Sequence, residues 1–587
     1  MRIAVEVSPE GGGVLCPLTE DGRPAGPEER VGDLAQAIRA RERDGEPRWV
    51  WAATNRVLPP LLRAGTTVAR CHDLELVEAL LLAGEGRYGE PRSVRAAAAR
   101  LRGEPVPVDT VRSSDGQPTL FGGEEDAGED LAAVLEVHAG QLRRIAATRH
   151  PDRLGLLAAA ESAGGLVAAE MSHAGLPWSV ARHDALLTEL LGPRPGPGLR
   201  PHRLQALADR IAQEFGGRRP VNPDSPAQLL KAFAAEGVSL PSTRSHVLKE
   251  VEHPAVPPLL EYKELARLYT THGWSWLDSW VRDGRFHPEY VVGGVVSGRW
   301  ASRGGGALQI PRVLRRAVVA EPGRVLVVAD AAQLEPRVLA ALAGDRSFAT
   351  AAGHGDLYAA LAGAFAGPGS GSGAAGEALG PGGRATGGGS PRDKAKIALL
   401  SAMYGGGTGE AVQLLGILRR RFPEAYGYVE AAARDGEAGR LVRSRLGRTC
   451  PPPSAAWRSL TAADPGEVPA GRQGSAARSR GRFTRNFVVQ ASAADWALAL
   501  LAALRRRLLR AGPAAGREGS SDGRSGRPEL VFFQHDEVIV HTPRELADEV
   551  AAAIRASAEE AGLLLFGRTP VRFPMEVAIV DCYADAK

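Results

Sequence analysis

Cysteine is scarce: Cys16, Cys71, Cys450 and Cys582 are the only four in 587 residues. They form neither a disulfide framework nor a CxxC metal spacing, which points to a reducing compartment. Charge of either sign is barely in excess, with 72 Lys and Arg against 68 Asp and Glu, a net of +4. Binding to nucleic acid therefore cannot be argued from net charge and has to come from a local cleft. No signal peptide and no apolar run long enough to span a bilayer stand out, so the expectation is a cytoplasmic protein with no membrane partner. At 587 residues the chain exceeds one core and should divide into several domains.

What is present centres on Val325 to Arg337, VLVVADAAQLEPR. Val325 to Ala329 is too short for a helix and apolar enough for a strand buried on both faces. Asp330 stands where burial ends. Gln333 to Leu342 turns to helical spacing, and Pro336 is tolerable in the first turn, where its missing N–H would be unpaired anyway. The order is strand, carboxylate, tight turn, helix. A carboxylate there suits Mg²⁺, which keeps waters and takes one or two carboxylates plus substrate phosphates. An N-cap aspartate is the alternative.

Glu529 to Val540, ELVFFQHDEVIV, reads as a β-hairpin with His535, Asp536 and Glu537 at its tip. Two aspartates delivered by separate strand ends suit a two-metal site for in-line phosphoryl transfer. In Arg392 to Gly406, Arg392, Lys396 and Tyr404 fall at steps of four and eight on one broad helical face, spanning roughly 18 Å. That length fits a nucleoside triphosphate, with two cations near the positive end of the helix dipole and a tyrosine at the base. A solvated basic face beside a core tyrosine is the alternative.

These stretches together resemble the family A DNA polymerases, the bacterial DNA polymerase I group. Asp330, Gln333, Glu335 and Arg337 match the family's first palm motif; Arg392, Lys396, Tyr404 and Gly405 its fingers helix; His535, Asp536 and Glu537 its second palm motif. Ser297, Gly298 and Arg299, then Leu308, Gln309, Ile310 and Pro311, resemble the segment that grips the primer duplex. Arg482, Asn486, Gln490 and Asp495 resemble the late template-contacting helix. The resemblance runs from about His150 to the C-terminus and more faintly before it.

It implies an α/β exonuclease-like (RNase H-like) N-terminal domain followed by an α+β right-hand polymerase of palm, fingers and helical thumb. The expected boundaries are 1–150 for a degenerate 3′→5′ exonuclease-like domain, 151–285 for the thumb, 286–346 for the first part of the palm, 347–460 for the fingers and 461–587 for the rest of the palm. In the thumb, Ala158 to Ala169, Leu204 to Phe215, Pro226 to Ala235 and Pro257 to Thr270 carry helical spacing. Residues 367–390 are almost entirely Gly, Ala, Ser and Pro and are expected to be a disordered insertion, with 512–528 a second spacer.

In the N-terminal region, Arg2 to Val7 and Trp49 to Ala53 read as strands, and Asp73 to Leu82 opens a helix. A nuclease of this kind needs clustered carboxylates for two metals, usually begun by Asp-x-Glu on the first strand. Here Glu6 and Ser8 stand at those two positions, no acid lies between Thr54 and Leu58, and Asp130 is the one candidate for a third ligand. The expectation is an exonuclease fold without proofreading. Within the polar stretch from Ser113 to Glu129, Gln117, Leu120 and Phe121 resemble the short peptide by which bacterial polymerases bind the sliding clamp. Folding of the two apolar residues back onto the domain is the alternative.

The implied activity is template-directed addition of a dNTP to a primer 3′-OH on primer-template DNA, with two Mg²⁺ ions held by Asp330 and Asp536. Arg392 and Lys396 would hold the triphosphate and Lys396 could protonate the leaving pyrophosphate. Gln333 and Glu335 would lie at the nucleotide, Glu335 crowding the sugar 2′ position, and Tyr404 would press on the nascent pair. Arg299, Gln309, Arg482, Asn486, Gln490, His535 and Glu537 would contact DNA, and the chain is expected to act as a monomer in gap filling or repair. Three departures bear on activity. Ala331 and Ala332 stand where the family has Tyr and Ser, Leu400 where it has an aromatic, and Ser401 where it has Gly. The rivals are a single-subunit RNA polymerase and a non-catalytic DNA- or clamp-binding scaffold.

Overall fold

The computed structural model describes residues 1–109, 130–217, 221–362, 390–405, 410–462, 470–511 and 526–586. Gln117, Leu120 and Phe121, residues 367–389 of the expected insertion and most of the 512–528 spacer lie outside the described residues.

The N-terminal region is built on a five-stranded sheet. Arg2–Val7 pairs antiparallel with Gly13–Leu18, which pairs antiparallel with Glu29–Val31; on its other side it runs parallel to Arg48–Trp51, itself parallel to Arg70–Asp73. The strand expected over Trp49 to Ala53 stops at Trp51, because Ala53 is already the cap of the helix Thr54–Arg63. Asp73 ends the last strand and starts the helix Leu74–Gly84, its carboxylate accepting the Leu76 and Thr54 N–H groups at 2.9 and 2.7 Å.

A helical region follows, with Pro151–Ala174, Val180–Leu191, His202–Glu214, Pro226–Ala235 and Val256–His272 as its longer members. The next sheet has four antiparallel strands in the order Glu529–Gln534, Glu537–Pro543, Arg324–Ala331, Met575–Val580. Its inner strand Arg324–Ala331 is paired on both sides, and Val325 to Ala329 are all at most 2% exposed. Burial of each Val or Leu there stabilises the fold by about 1.5–3 kcal/mol.

A single helix, Ala470–Arg510, packs along Pro423–Glu437, Ala547–Phe566 and Pro151–Ala174. It corrects one expectation. Pro151–Ala174 and Gly471–Arg510 are both long and apolar enough, by length and composition, to cross a membrane. Their apolarity comes largely from alanine, so no bulky run marks them in the sequence. Neighbouring elements cover most of it: 61% and 89% of the two apolar windows are buried inside the protein.

Buried ion pairs tie the parts together. Arg505 of the long helix is paired with Glu170 and donates to the Val68 and Ala69 carbonyls at 2.5 and 2.8 Å, locking the N-terminal sheet to the helical region. Arg448 lies between Glu161 and Asp495, at 2.7 and 2.9 Å.

Candidate active site

Asp330 is the penultimate residue of its strand, opposite Glu537 on one neighbour and Glu576 on the other. Asp536 lies in the hairpin turn, and its carbonyl accepts the Ala331 N–H at 3.1 Å. The two aspartates therefore stand at neighbouring strand ends, one rung apart. The turn is tight because His535 takes a left-handed conformation, with φ 57°. Only His535 and Asp536 form the tip. Glu537 already belongs to the second strand and is buried, so the expected three-residue tip is shortened by one.

Past Asp330 the chain does not enter a helix at Gln333. Gln333 is a left-handed cap, φ 55°, and the helix runs Leu334–Ala343. Arg337 explains the stability of that turn. It is wholly buried and donates to the carbonyls of Ala332 (2.9 Å), Ala352 (2.6 Å), His354 (2.9 Å), Gly355 (2.5 Å) and Arg572 (3.1 Å). A guanidinium has five donors and no acceptor, so five carbonyls satisfy it without a carboxylate. Ala331 and Ala332 are built into the same turn, the Ala332 N–H donating to Pro574 O at 3.0 Å.

The helix carrying Arg392, Lys396 and Tyr404 spans Pro391–Tyr404, started by Ser390 as N-cap and stopped by Gly405 at φ 66°. Both of its ends meet the segment after Asp330. At the far end, the Tyr404 phenol and the Arg299 guanidinium donate to the two oxygens of Glu335. Burial and this carboxylate push the Tyr404 phenol up to about 12. Gln490 of the long helix lies near the Tyr404 phenol, and Arg482 packs against Gly405, which puts that helix beside the end of this one. Burial, with Arg299 nearby, holds the His535 imidazole below its ordinary range against the pull of Glu335.

At the near end, Arg392 donates through Nε to Asp356 at 2.7 Å, and the other Asp356 oxygen accepts Gln333 Nε2 at 2.8 Å. Asp356 was not foreseen. The signal available was weak, an aspartate followed by the short helix Leu357–Ala362, which fits any N-cap. The structure thus brings together Asp330, Asp536, Gln333, Glu335, Arg299, Arg392, Tyr404, Gln490, Arg482 and His535. Lys396 is exposed one turn beyond Arg392, Asn486 is half-buried on the long helix between Arg482 and Gln490, and Gln309 ends a short 3₁₀ turn, Ala307–Gln309.

A family model described as DNA polymerase family A matches residues 200–370, the stretch that contains Asp330 and Glu335. The chain is 25% identical over 500 residues to the thermostable DNA polymerase I of Thermus thermophilus, covering 79% of this chain and 52% of that protein. It is 34% identical over 187 residues to DNA polymerase I of Chloroflexus aurantiacus, covering 27% of this chain and 19% of that protein. Residues 200–370 are thus similar to DNA polymerases of family A. The chain spans about half the length of the Thermus relative and matches about a fifth of the Chloroflexus one. Its fold is that of the POL domain of Pol1 from M. smegmatis, solved in complex with DNA primer-template and dNTP. The TM-score is 0.69 at 19% identity, over 100% of this chain and 95% of that one.

Proposed function

We propose that the chain is a template-directed DNA polymerase that adds dNTPs to a primer 3′-OH. One observation carries the reading: a single helix with Arg392 near one end and Tyr404 at the other is bonded, through Asp356 and Glu335, to the segment that follows Asp330, beside Asp536. Twelve residues of helix separate the two ends, roughly 18 Å, the reach of a nucleoside triphosphate.

In this reading the four-stranded sheet and its covering helices form the palm (286–346 and 461–587), residues 347–460 the fingers and 151–285 the thumb. Divalent metal use is general in the family. The donor set fits Mg²⁺: two aspartates on neighbouring strand ends supply hard oxygen ligands, and no larger cluster of His, Cys, Asp or Glu is found among the described residues. Mg²⁺ takes one or two carboxylates and completes its shell with water and phosphate. Asp330 and Asp536 would hold the ions, which lower the charge barrier to in-line attack on the α-phosphate when bound. Arg392 and Lys396 hold the triphosphate, and Lys396 is assigned as the proton donor to departing pyrophosphate. Glu335, fixed by Arg299 and Tyr404, blocks the sugar 2′ position. Arg482, Asn486, Gln490 and His535 line the primer and template.

Residues 1–150 are an exonuclease-like domain without proofreading. Two observations support the loss. The Glu6 carboxylate accepts the Leu131 N–H at 3.0 Å and Asp130 accepts that of Ala132 at 3.1 Å, so both are spent on capping the helix Leu131–Ala146. Primer extension with Mg²⁺ and dNTPs, run with matched and mismatched 3′ ends, tests both claims. Extension without trimming is expected; trimming would overturn the loss of proofreading, and no extension by the pure protein would favour a scaffold.

Leu400 packs against the core of the fingers helix, where an aromatic would offer the incoming base a stacking face. Stacking contributes about 1–3 kcal/mol per base, so Leu400→Phe is expected to lower the KM for dNTP by at least ~5-fold. An unchanged KM in steady-state extension would show that the base does not reach this position.

A further inference from the structure

Asp356 belongs to none of the matched motifs, yet it holds the cation assigned to the triphosphate. Its Oδ2 accepts Arg392 Nε at 2.7 Å; its Oδ1 accepts Gln333 Nε2 at 2.8 Å and the Ala359 N–H at 3.1 Å. Gln333 is fastened to the same place by a second bond, its Oε1 accepting the Leu357 N–H at 2.8 Å. The backbone beneath is pinned by Arg337, which grips the His354 and Gly355 carbonyls. Tyr358 lies under the Arg392 guanidinium, 5.8 Å from its ring centre, and is itself buried. The carboxylate is therefore presented by a rigid mount, while Arg392 sits on an exposed first turn of its helix.

We propose that Asp356 is an internal stand-in for phosphate, a positioning residue that holds Arg392 in the nucleotide-free site and yields it to the incoming triphosphate. The inference rests on the polymerase reading for the identity of the anion. Carboxylate and phosphate are the two partners that a guanidinium takes through the same donors, so one must displace the other at Nε. The exchange is easy because the pair is half in water, with 48% of the Arg392 side chain and 39% of the Asp356 side chain exposed. Burial alone would raise the Asp356 carboxyl. The bonds from Arg392 and Gln333 outweigh it and hold the group at about 2, so the competing anion is present throughout the neutral range. Gln333, three residues after Asp330, is released or retained with it, which couples triphosphate capture to the turn that carries the catalytic aspartate.

The test uses the full chain and inorganic tripolyphosphate, titrated by calorimetry into wild type, Asp356→Asn, Arg392→Ala and the double variant. Exposed ion pairs contribute up to ~1 kcal/mol, so Asp356→Asn is expected to bind tripolyphosphate ~5-fold more tightly than wild type. Arg392→Ala should bind more weakly, and the gain from Asp356→Asn should vanish in its background. In steady-state extension the same variant should lower KM for dNTP without raising kcat. Thermal melting of each variant separates these effects from loss of fold, and Asp356→Glu, which restores the anion, should return affinity towards wild type. Equal or weaker binding by folded Asp356→Asn would overturn the proposal, as would a gain that persists without Arg392. Wild-type extension with unaltered tripolyphosphate binding sinks this inference alone; tripolyphosphate behaving as expected with no extension sinks the polymerase reading alone.

Discussion

Replacing Asp330 by alanine is expected to lower primer extension by at least ~10³-fold, and Asp536→Ala should do the same. The two aspartates stand at neighbouring strand ends, whereas the Glu335 carboxylate is held by Arg299 and Tyr404. Metal-assisted phosphoryl transfer draws several kcal/mol of charge stabilisation from the site, and each decade of rate is about 1.4 kcal/mol. Loss of either ligand should therefore act on kcat more than on KM. Asp330 is half-buried at a strand end whose backbone pairing does not need the carboxylate, so the variant should keep its melting temperature. Single-turnover extension and thermal melting read the two quantities separately. Retained extension in a folded Asp330→Ala protein would exclude the proposed metal ligands.

The second large effect is on stability. Arg448→Ala is expected to cost about 3–5 kcal/mol in denaturant unfolding, because it leaves Glu161 and Asp495 buried without their counter-charge. The side chains of Arg448, Glu161 and Asp495 are 7%, 4% and 0% exposed, and Ser444 completes the set by donating to Asp495 at 2.6 Å. Burial raises the Asp495 carboxyl, and Arg448 is the main force opposing that rise. In the variant the folded-state value rises further above the unfolded one. A group of that kind favours the folded state as pH falls through its folded value, so the deficit should shrink on acidification from neutral pH. A deficit below ~1 kcal/mol at pH 7 would show that the two carboxylates find other partners.

The departures at Ala331 and Ala332 acquire a physical account from the structure. Ala331 is buried between Met575 and the hairpin, and Ala332 uses both its N–H and its carbonyl to hold the turn. Their backbones carry the geometry that delivers Asp330, which does not depend on side-chain hydroxyls.

The amino-acid order by itself determined the local pieces: an apolar run ending in Asp330, a hairpin bearing Asp536, and a helical face with Arg392, Lys396 and Tyr404. Each is set by interactions within a few residues, where the twofold and 3.6-fold periods of apolar and polar side chains are legible. The left-handed Gln333 escaped that reading, since its conformation is imposed by Arg337 and Asp356 from beyond its own turn. The full 41-residue extent of the helix Ala470–Arg510 also escaped it, because glycines at 471, 474 and 481 argue locally against its first turns, which tertiary packing sustains. Tertiary structure alone decided the partnerships: Asp356 with an arginine 36 residues on, Glu161 with one 287 residues on, Arg299 with Glu335. Ion pairs and hydrogen bonds between distant segments leave no period in the sequence, and they take their meaning only from the distances that folding sets.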